Sequence, residues 1–244
     1  MNKHTQKFLI PCYFTDASWR LKPASFMDLA QEAANLHATV LGFGYDEMIT
    51  SRNAWVLSRM HVEFVDTPKW RDTINFTTWH KGLNRLFFLR DFLVTDDEGN
   101  VKVKATTSWL VLNLDTRRLV RDPKLMDEGT KCSDNAIDTP ADKVQMPKDA
   151  APELVMEHVV SYSDVDMNGH ANNAMYMHWA MDAVDYNLAS TRPVRSMTLN
   201  FNHETKPGDV VSLYRYSCGD ESGLHVYVEG KVGDTSAFIV EVVF

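Results

Sequence analysis

Apolar residues recur with helical spacing twice along this chain. Leu29, Ala33, Leu36 and Val40 follow i, i+4, i+7, i+11, and Met177, Met181, Val184 and Leu188 do the same. That spacing lines one face of an α-helix. Leu29 and Met177 are 148 positions apart. Each stripe leads into segments of alternating apolar and polar residues, the period of a half-buried strand. Segment 60–64 corresponds to 197–201, Lys69 to Lys206, and Asp72-Thr73-Ile74 to Asp209-Val210-Val211, all at an offset of 137. The smaller offset predicts a helix-to-strand loop 11 residues longer in the first half, holding Gly42-Phe43-Gly44 and Ser51-Arg52-Asn53. Further strands are predicted at 74–79, 88–94 and 101–111, and at 210–216, 224–232 and 237–242. Turn residues separate them at 96–100, 219–223 and 233–234. The pattern predicts an α+β chain built twice over, each copy one long helix wrapped by an antiparallel sheet that buries its apolar stripe.

Between the copies, Pro123, Pro140, Pro147 and Pro152 fall in one stretch rich in Asp and Lys. This reads as a surface linker. The expected division is a first repeat at 1–130, a linker at 131–153 and a second repeat at 154–244.

Composition narrows the function. A net charge of −8 over 244 residues argues against nucleic acid, whose phosphates need a basic surface. Cys12, Cys132 and Cys218 are far apart and odd in number, as expected of reduced thiols. The apolar run near the N-terminus is broken by Pro11, too soon for a signal peptide. No segment approaches the roughly 20 apolar residues of a membrane span. A cytoplasmic protein without cofactor or metal is expected; no histidine or carboxylate spacing suits a metal. Ser222 sits one place late for a G-x-S-x-G elbow.

The candidate chemistry lies just before the second helix, in Asp166-Met167-Asn168-Gly169-His170-Ala171-Asn172-Asn173. Asp166, Asn168 and His170 alternate, so an extended segment would project them from one side. The segment runs into a helix N-terminus, where unpaired N–H groups can stabilise an oxyanion. An acid, an amide and an imidazole there suit attack on an acyl carbonyl. At the 148 offset the first repeat has Ser18, Arg20 and Lys22 instead, so only the second copy carries the set. Capping and turn formation would also favour Asp166 and Asn172.

The motif Asp166-x-Asn168-x-His170-x-Asn172-Asn173 resembles that of acyl-ACP thioesterases, the plant FatA/FatB type and their bacterial relatives. Gln31-Glu32-Ala33-Ala34, Trp55-Val56-Leu57-Ser58-Arg59-Met60, Arg90-Asp91-Phe92-Leu93-Val94 and Thr116-Arg117-Arg118-Leu119 resemble further family segments. The resemblance implies a double-hotdog fold and hydrolysis of fatty acyl thioesters carried on acyl carrier protein. It implies catalytic roles for Asp166, Asn168 and His170, and for a downstream Glu matched here by Glu204. Many plant members have Cys after that Glu; Thr205 stands here, so a cysteine nucleophile is not expected.

The expected mechanism is attack by water with Glu204 or His170 as base. Asn168 would orient the reactants, Asp166 would hold Asn168 or the helix end, and N–H groups near Asn172 and Asn173 would face the oxyanion. Met27, Met175, Met177 and Met181 are candidates for an acyl-chain pocket, because Met adapts to a flexible chain. Arg117, Arg118, Arg121 and Lys124 form the densest basic cluster and are candidates for docking the acidic carrier. Monomer and homodimer are both open. Rival readings are an acyl-CoA thioesterase, a hotdog hydratase or dehydratase, and a non-catalytic acyl-binding module.

Overall fold

A computed structural model describes residues 2–121 and 130–244. The first half contributes β1 (His4–Leu9), α1 (Pro23–Val40), α2 (Tyr45–Thr50), β2 (Asn53–Phe64), β3 (Thr73–Asn84), β4 (Phe87–Thr95) and β5 (Val101–Asn113). The second contributes β6 (Glu153–Val159), α3 (Asn173–Asp182), α4 (Tyr186–Thr191), β7 (Ser196–Phe201), β8 (Val210–Asp220), β9 (Gly223–Val232) and β10 (Thr235–Val243). The ten strands form one sheet in the order β1-β3-β4-β5-β2-β7-β10-β9-β8-β6. This order is its own mirror image: each strand of one half has its counterpart at the same distance from the central β2–β7 seam. Across the seam Met60 pairs with Leu199 and Val62 with Met197, antiparallel. The seam removes the edge that each half alone would expose.

The sheet wraps α1 and α3, which pack against each other. Pro23 opens α1, where its missing N–H costs nothing. Phe26, Met27, Ala30, Ala33, Ala34 and His37 form its buried face. The small alanines suit close approach of α3, whose buried Met177 and Ala180 belong to the same core. Gly230 on β9 pairs with Phe238 on β10, and the Phe238 ring lies where a β-carbon of residue 230 would go.

Several sequence expectations need correction. Val40 is 62% exposed, so the α1 stripe turns off the core before its end. The second long helix is broken: α3 ends at Asp182 and α4 carries Leu188. The extra length of the first half goes largely into α1, 18 residues against 10 in α3, rather than into a loop. The edge strands β1 and β6 were not anticipated. Leu154, Met156 and Val159 of β6 are all exposed, so no buried face betrays that strand. The linker is not loose: Ala141 and Val144 are buried, and Val144 exchanges two hydrogen bonds with the Asn200 side chain. Asp91 accepts from the Ala136 N–H, and Lys81 donates to the Ile137 carbonyl.

The repeat offset ahead of the helices is 150, not 148. Val165 bridges Ala171 as Thr15 bridges Leu21, and Asn172 and Lys22 are the N-caps of α3 and α1. Asp166 therefore matches Asp16, Asn168 matches Ser18 and His170 matches Arg20. The first repeat keeps the acid and lacks the amide and imidazole.

Candidate active site

The site begins with a buried anchor. Ser161 and Asp164 form a capping box, and His158 Nε2 lies 2.9 Å from Asp164 Oδ2. Burial alone would raise the Asp164 carboxyl; the Ser161 N–H, His158 and the Ser161 hydroxyl outweigh it and hold the group below the usual carboxylate value. The Asp164 carbonyl accepts the Asn172 N–H at 2.8 Å, fixing where α3 starts.

Between these points residues 166–170 make a tight turn, not the extended segment expected. The Asp166 N–H donates to the His170 carbonyl, and the Gly169 N–H to the Asp166 carbonyl. Gly169 has φ +77, conformation that glycine adopts without steric cost. Asp166 accepts the Asn168 N–H at 2.8 Å and faces the Asn168 side-chain amide at 3.3 Å. Asp16 accepts the Ser18 N–H in the same way, so this acid builds the turn in both repeats.

Glu204 arrives from the segment after β7. The Ala171 N–H donates to the Thr205 carbonyl at 2.9 Å, stapling that segment to the turn. Thr205 is fully buried, with its N–H donating to the Tyr176 hydroxyl at 3.0 Å. A buried Thr205 anchored on Tyr176 is no nucleophile, and the three cysteines lie elsewhere. Its neighbour Glu204 is thus held 3.4 Å from His170 Nε2. Arg117 reaches over from the first repeat and binds the other Glu204 oxygen at 2.8 Å.

Asn172 caps α3 by accepting the Ala174 N–H at 2.8 Å. The Asn173 N–H has no acceptor among the described residues, leaving one donor at the helix N-terminus.

An apolar cavity of about 220 Å³ opens beside this group. Ala34, Ala38, Phe43, Met48, Trp55, Phe88 and Trp109 line it, all from the first repeat, and Asn168 is the second repeat's contribution. Arg90 lines the cavity too; its buried guanidinium, pulled down to about 10 by desolvation, meets His37 Nδ1 at 2.9 Å. The methionines do not form this wall. Met27 borders a neighbouring void of about 10 Å³, Met181 borders a different cavity, Met177 is locked in the core and Met175 packs against it. The sequence signal for the true wall was the aromatic run along β2, β4 and β5, which reads equally as core.

A second cavity of the same volume lies around Met181: Met181 on its wall matches Gln31, and Lys22 and Arg20 match Asn172 and His170, while Ser217 and Val226, the counterparts of His80 and Leu89, line a different pocket. There Arg20 binds Asp16 at 3.0 Å and the Ser190 carbonyl at 2.9 Å. Its guanidinium bolts α4 to the turn in the place His170 occupies.

Of the basic cluster, Arg118 and Arg121 are exposed, Arg117 is engaged by Glu204, and Lys124 lies outside the described residues. The described residues hold no cluster of metal ligands and no helix long and apolar enough to cross a membrane.

Residues 1–128 match the acyl-ACP thioesterase N-terminal domain, and residues 148–238 the C-terminal domain. The chain belongs to the acyl-ACP thioesterase family. Its curated relatives include oleoyl-acyl carrier protein thioesterase 1 of Arabidopsis thaliana, 28% identical over 85% of this chain and 62% of that protein. The oleoyl-acyl carrier protein thioesterase of Coriandrum sativum is 26% identical over 96% of this chain and 68% of its own length. Both are named chloroplastic, and this chain spans roughly two thirds of their length. An acyl-ACP thioesterase from Bacteroides thetaiotaomicron superposes with a TM-score of 0.87 at 25% identity, covering 99% of this chain and 97% of that one. The 12:0-ACP thioesterase from Umbellularia californica shares the fold, with a TM-score of 0.88 at 24% identity over 99% and 93% of the two chains. The double-hotdog architecture of this family is the fold described above.

Proposed function

We propose that this chain hydrolyses fatty acyl thioesters carried on acyl carrier protein, releasing free fatty acid and the carrier thiol. The observation that carries this is the pairing of Glu204 with His170 on a turn whose Asn168 lines an apolar cavity, followed by an unpaired helix N–H. In this reading the first repeat houses the acyl chain and the second supplies the reacting groups.

Glu204 takes a proton from water as the water oxygen bonds to the thioester carbon. Asn168, held by Asp166, orients the carbonyl. The Asn173 N–H faces the oxyanion, a kind of donor worth about 10²–10³ in rate. As the carbon–sulfur bond breaks, the proton passes through His170 to the leaving sulfur; such transfer contributes about 10²–10⁴. Arg118, Arg121 and Lys206 are exposed around this end and suit an acidic carrier, chiefly by speeding encounter.

The test is thiol release from matched acyl-ACP and acyl-CoA panels, with wild type, His170→Ala and Glu204→Gln. Release from acyl-ACP that both substitutions abolish is expected. Preference for acyl-CoA would overturn the carrier assignment, and no release by folded protein would sink the reading.

A further inference from the structure

We infer that Gln31, on α1 of the first repeat, is a positioning residue for the active site of the second; this rests on the thioesterase reading above. Gln31 Nε2 donates to Asn172 Oδ1 at 3.1 Å. The same oxygen accepts the Ala174 N–H, so both of its lone pairs are used. The Asn172 amide then cannot turn its oxygen toward the neighbouring Asn173 N–H and occupy the donor meant for the oxyanion. Gln31 also lines the acyl cavity alongside Asn168 and the small void alongside Asn173. It therefore stands between the group that orients the carbonyl and the group that receives its charge.

The second cavity supplies the control. At the offset of 150, Gln31 matches Met181 and Asn172 matches Lys22, and both of these border it. Lys22 caps α1 with no side-chain bond to the helix, its ammonium donating instead to the Tyr13 carbonyl, and Met181 has no donor to offer. The helix pair thus packs without this bond where Arg20 has closed the site, and carries it where Asn168 and His170 stand. A purely structural bond has no reason to be confined to that side.

Gln31→Met keeps length and volume and removes the donor. With the full chain and an acyl-ACP substrate, kcat is expected to fall about tenfold or more, with KM moving less than about threefold. The double variant Gln31→Met/Asn172→Ala should be no slower than Asn172→Ala alone, since Gln31 acts through Asn172. Gln31→Glu adds a readout that packing cannot mimic. Its carboxylate would face both Asn172 Oδ1 and the Asp28 carboxylate, 3.5 Å from the Gln31 amide nitrogen, with His178 close enough to act on Asp28; its protonated form restores a donor to Asn172, so its kcat relative to wild type should rise as pH falls. Wild-type kcat in Gln31→Met, additive losses in the double variant, or a flat Gln31→Glu ratio would each overturn the inference. A wild-type chain that hydrolyses no acyl-ACP would instead remove the parent reading, and this inference with it.

Discussion

Arg117 and Glu204 stand 87 residues apart in sequence, in different repeats, and their side chains meet at 2.8 Å. Arg117 holds φ +56, in the left-handed region that non-glycine residues seldom occupy. The pair is half-exposed, so its effect on stability is small, about 0–1 kcal/mol. Its effect on the orientation of Glu204 is not. Arg117→Ala is expected to leave the melting temperature nearly unchanged and to lower kcat about ten- to a hundredfold through misplacement of the carboxylate. Arg117→Lys should recover part of the loss. A wild-type kcat in Arg117→Ala would show that Glu204 needs no such guide.

The two turn acids offer a direct comparison. Asp166→Ala deletes one side-chain-to-backbone hydrogen bond, worth about 1 kcal/mol, while Asp16→Ala deletes two and the Arg20 ion pair, so Asp16→Ala should cost more stability. Only Asp166→Ala should lower thiol release, because only Asp166 holds the amide proposed to orient the carbonyl. Equal loss of activity in both would mean that general loosening, and not the position of Asn168, is responsible.

What the sequence made legible follows from what repeats. Strands with one buried face, such as β3 and β9, announce themselves by alternation, and the constant offset of 137 pairs segment 60–64 with 197–201. The edge strands β1 and β6 lack a strong buried stripe and stayed hidden. The apolar stripes alone give an offset two residues too small, because they compare helices of unequal length and carry no information on the turn that precedes each. Turn hydrogen bonds fix that register, and they require coordinates. Asp166, Asn168 and His170 are legible from their spacing and Glu204 only through the family resemblance; the cavity is not legible at all. Its wall of Trp55, Phe88 and Trp109 has the same composition as core.

Asp164 predicts an acid-sensitive site loop. Its folded-state carboxyl lies below the ordinary value of 3.8, so its stabilisation is present above that pH and is lost as pH falls through the lower folded value. Denaturant midpoints should drop as the solution is acidified through this range. Asp164→Asn should show a shallower acid dependence and a loss of about 1–3 kcal/mol at neutral pH. An unchanged acid slope in Asp164→Asn would place the sensitivity elsewhere.

Gly230→Ala tests the sheet. A β-carbon there would come within 2.0 Å of the Phe238 ring, which is fully buried and cannot swing away. Overpacking of this kind costs about 1–3 kcal/mol. Thermal melts should show that loss, and an unshifted transition would mean that β10 can slide.

Ala38 lies on the cavity wall, on α1. Ala38→Phe fills part of the space an acyl tail would use. Competition among acyl-ACPs of different lengths should shift toward shorter chains while the shortest substrates keep their kcat. An unchanged length profile would move the acyl tail out of this cavity.

The seam between β2 and β7 joins two mouths that a symmetric pair of identical chains would be obliged to keep alike. Within one polypeptide the mouths are encoded separately, and they have diverged: Arg20 bolts one, and Asn168 and His170 equip the other. Under the proposed function each chain then has one turnover centre and one docking event per cycle. Saturation by substrate should be hyperbolic, with one equivalent of carrier bound per chain and no half-of-the-sites behaviour.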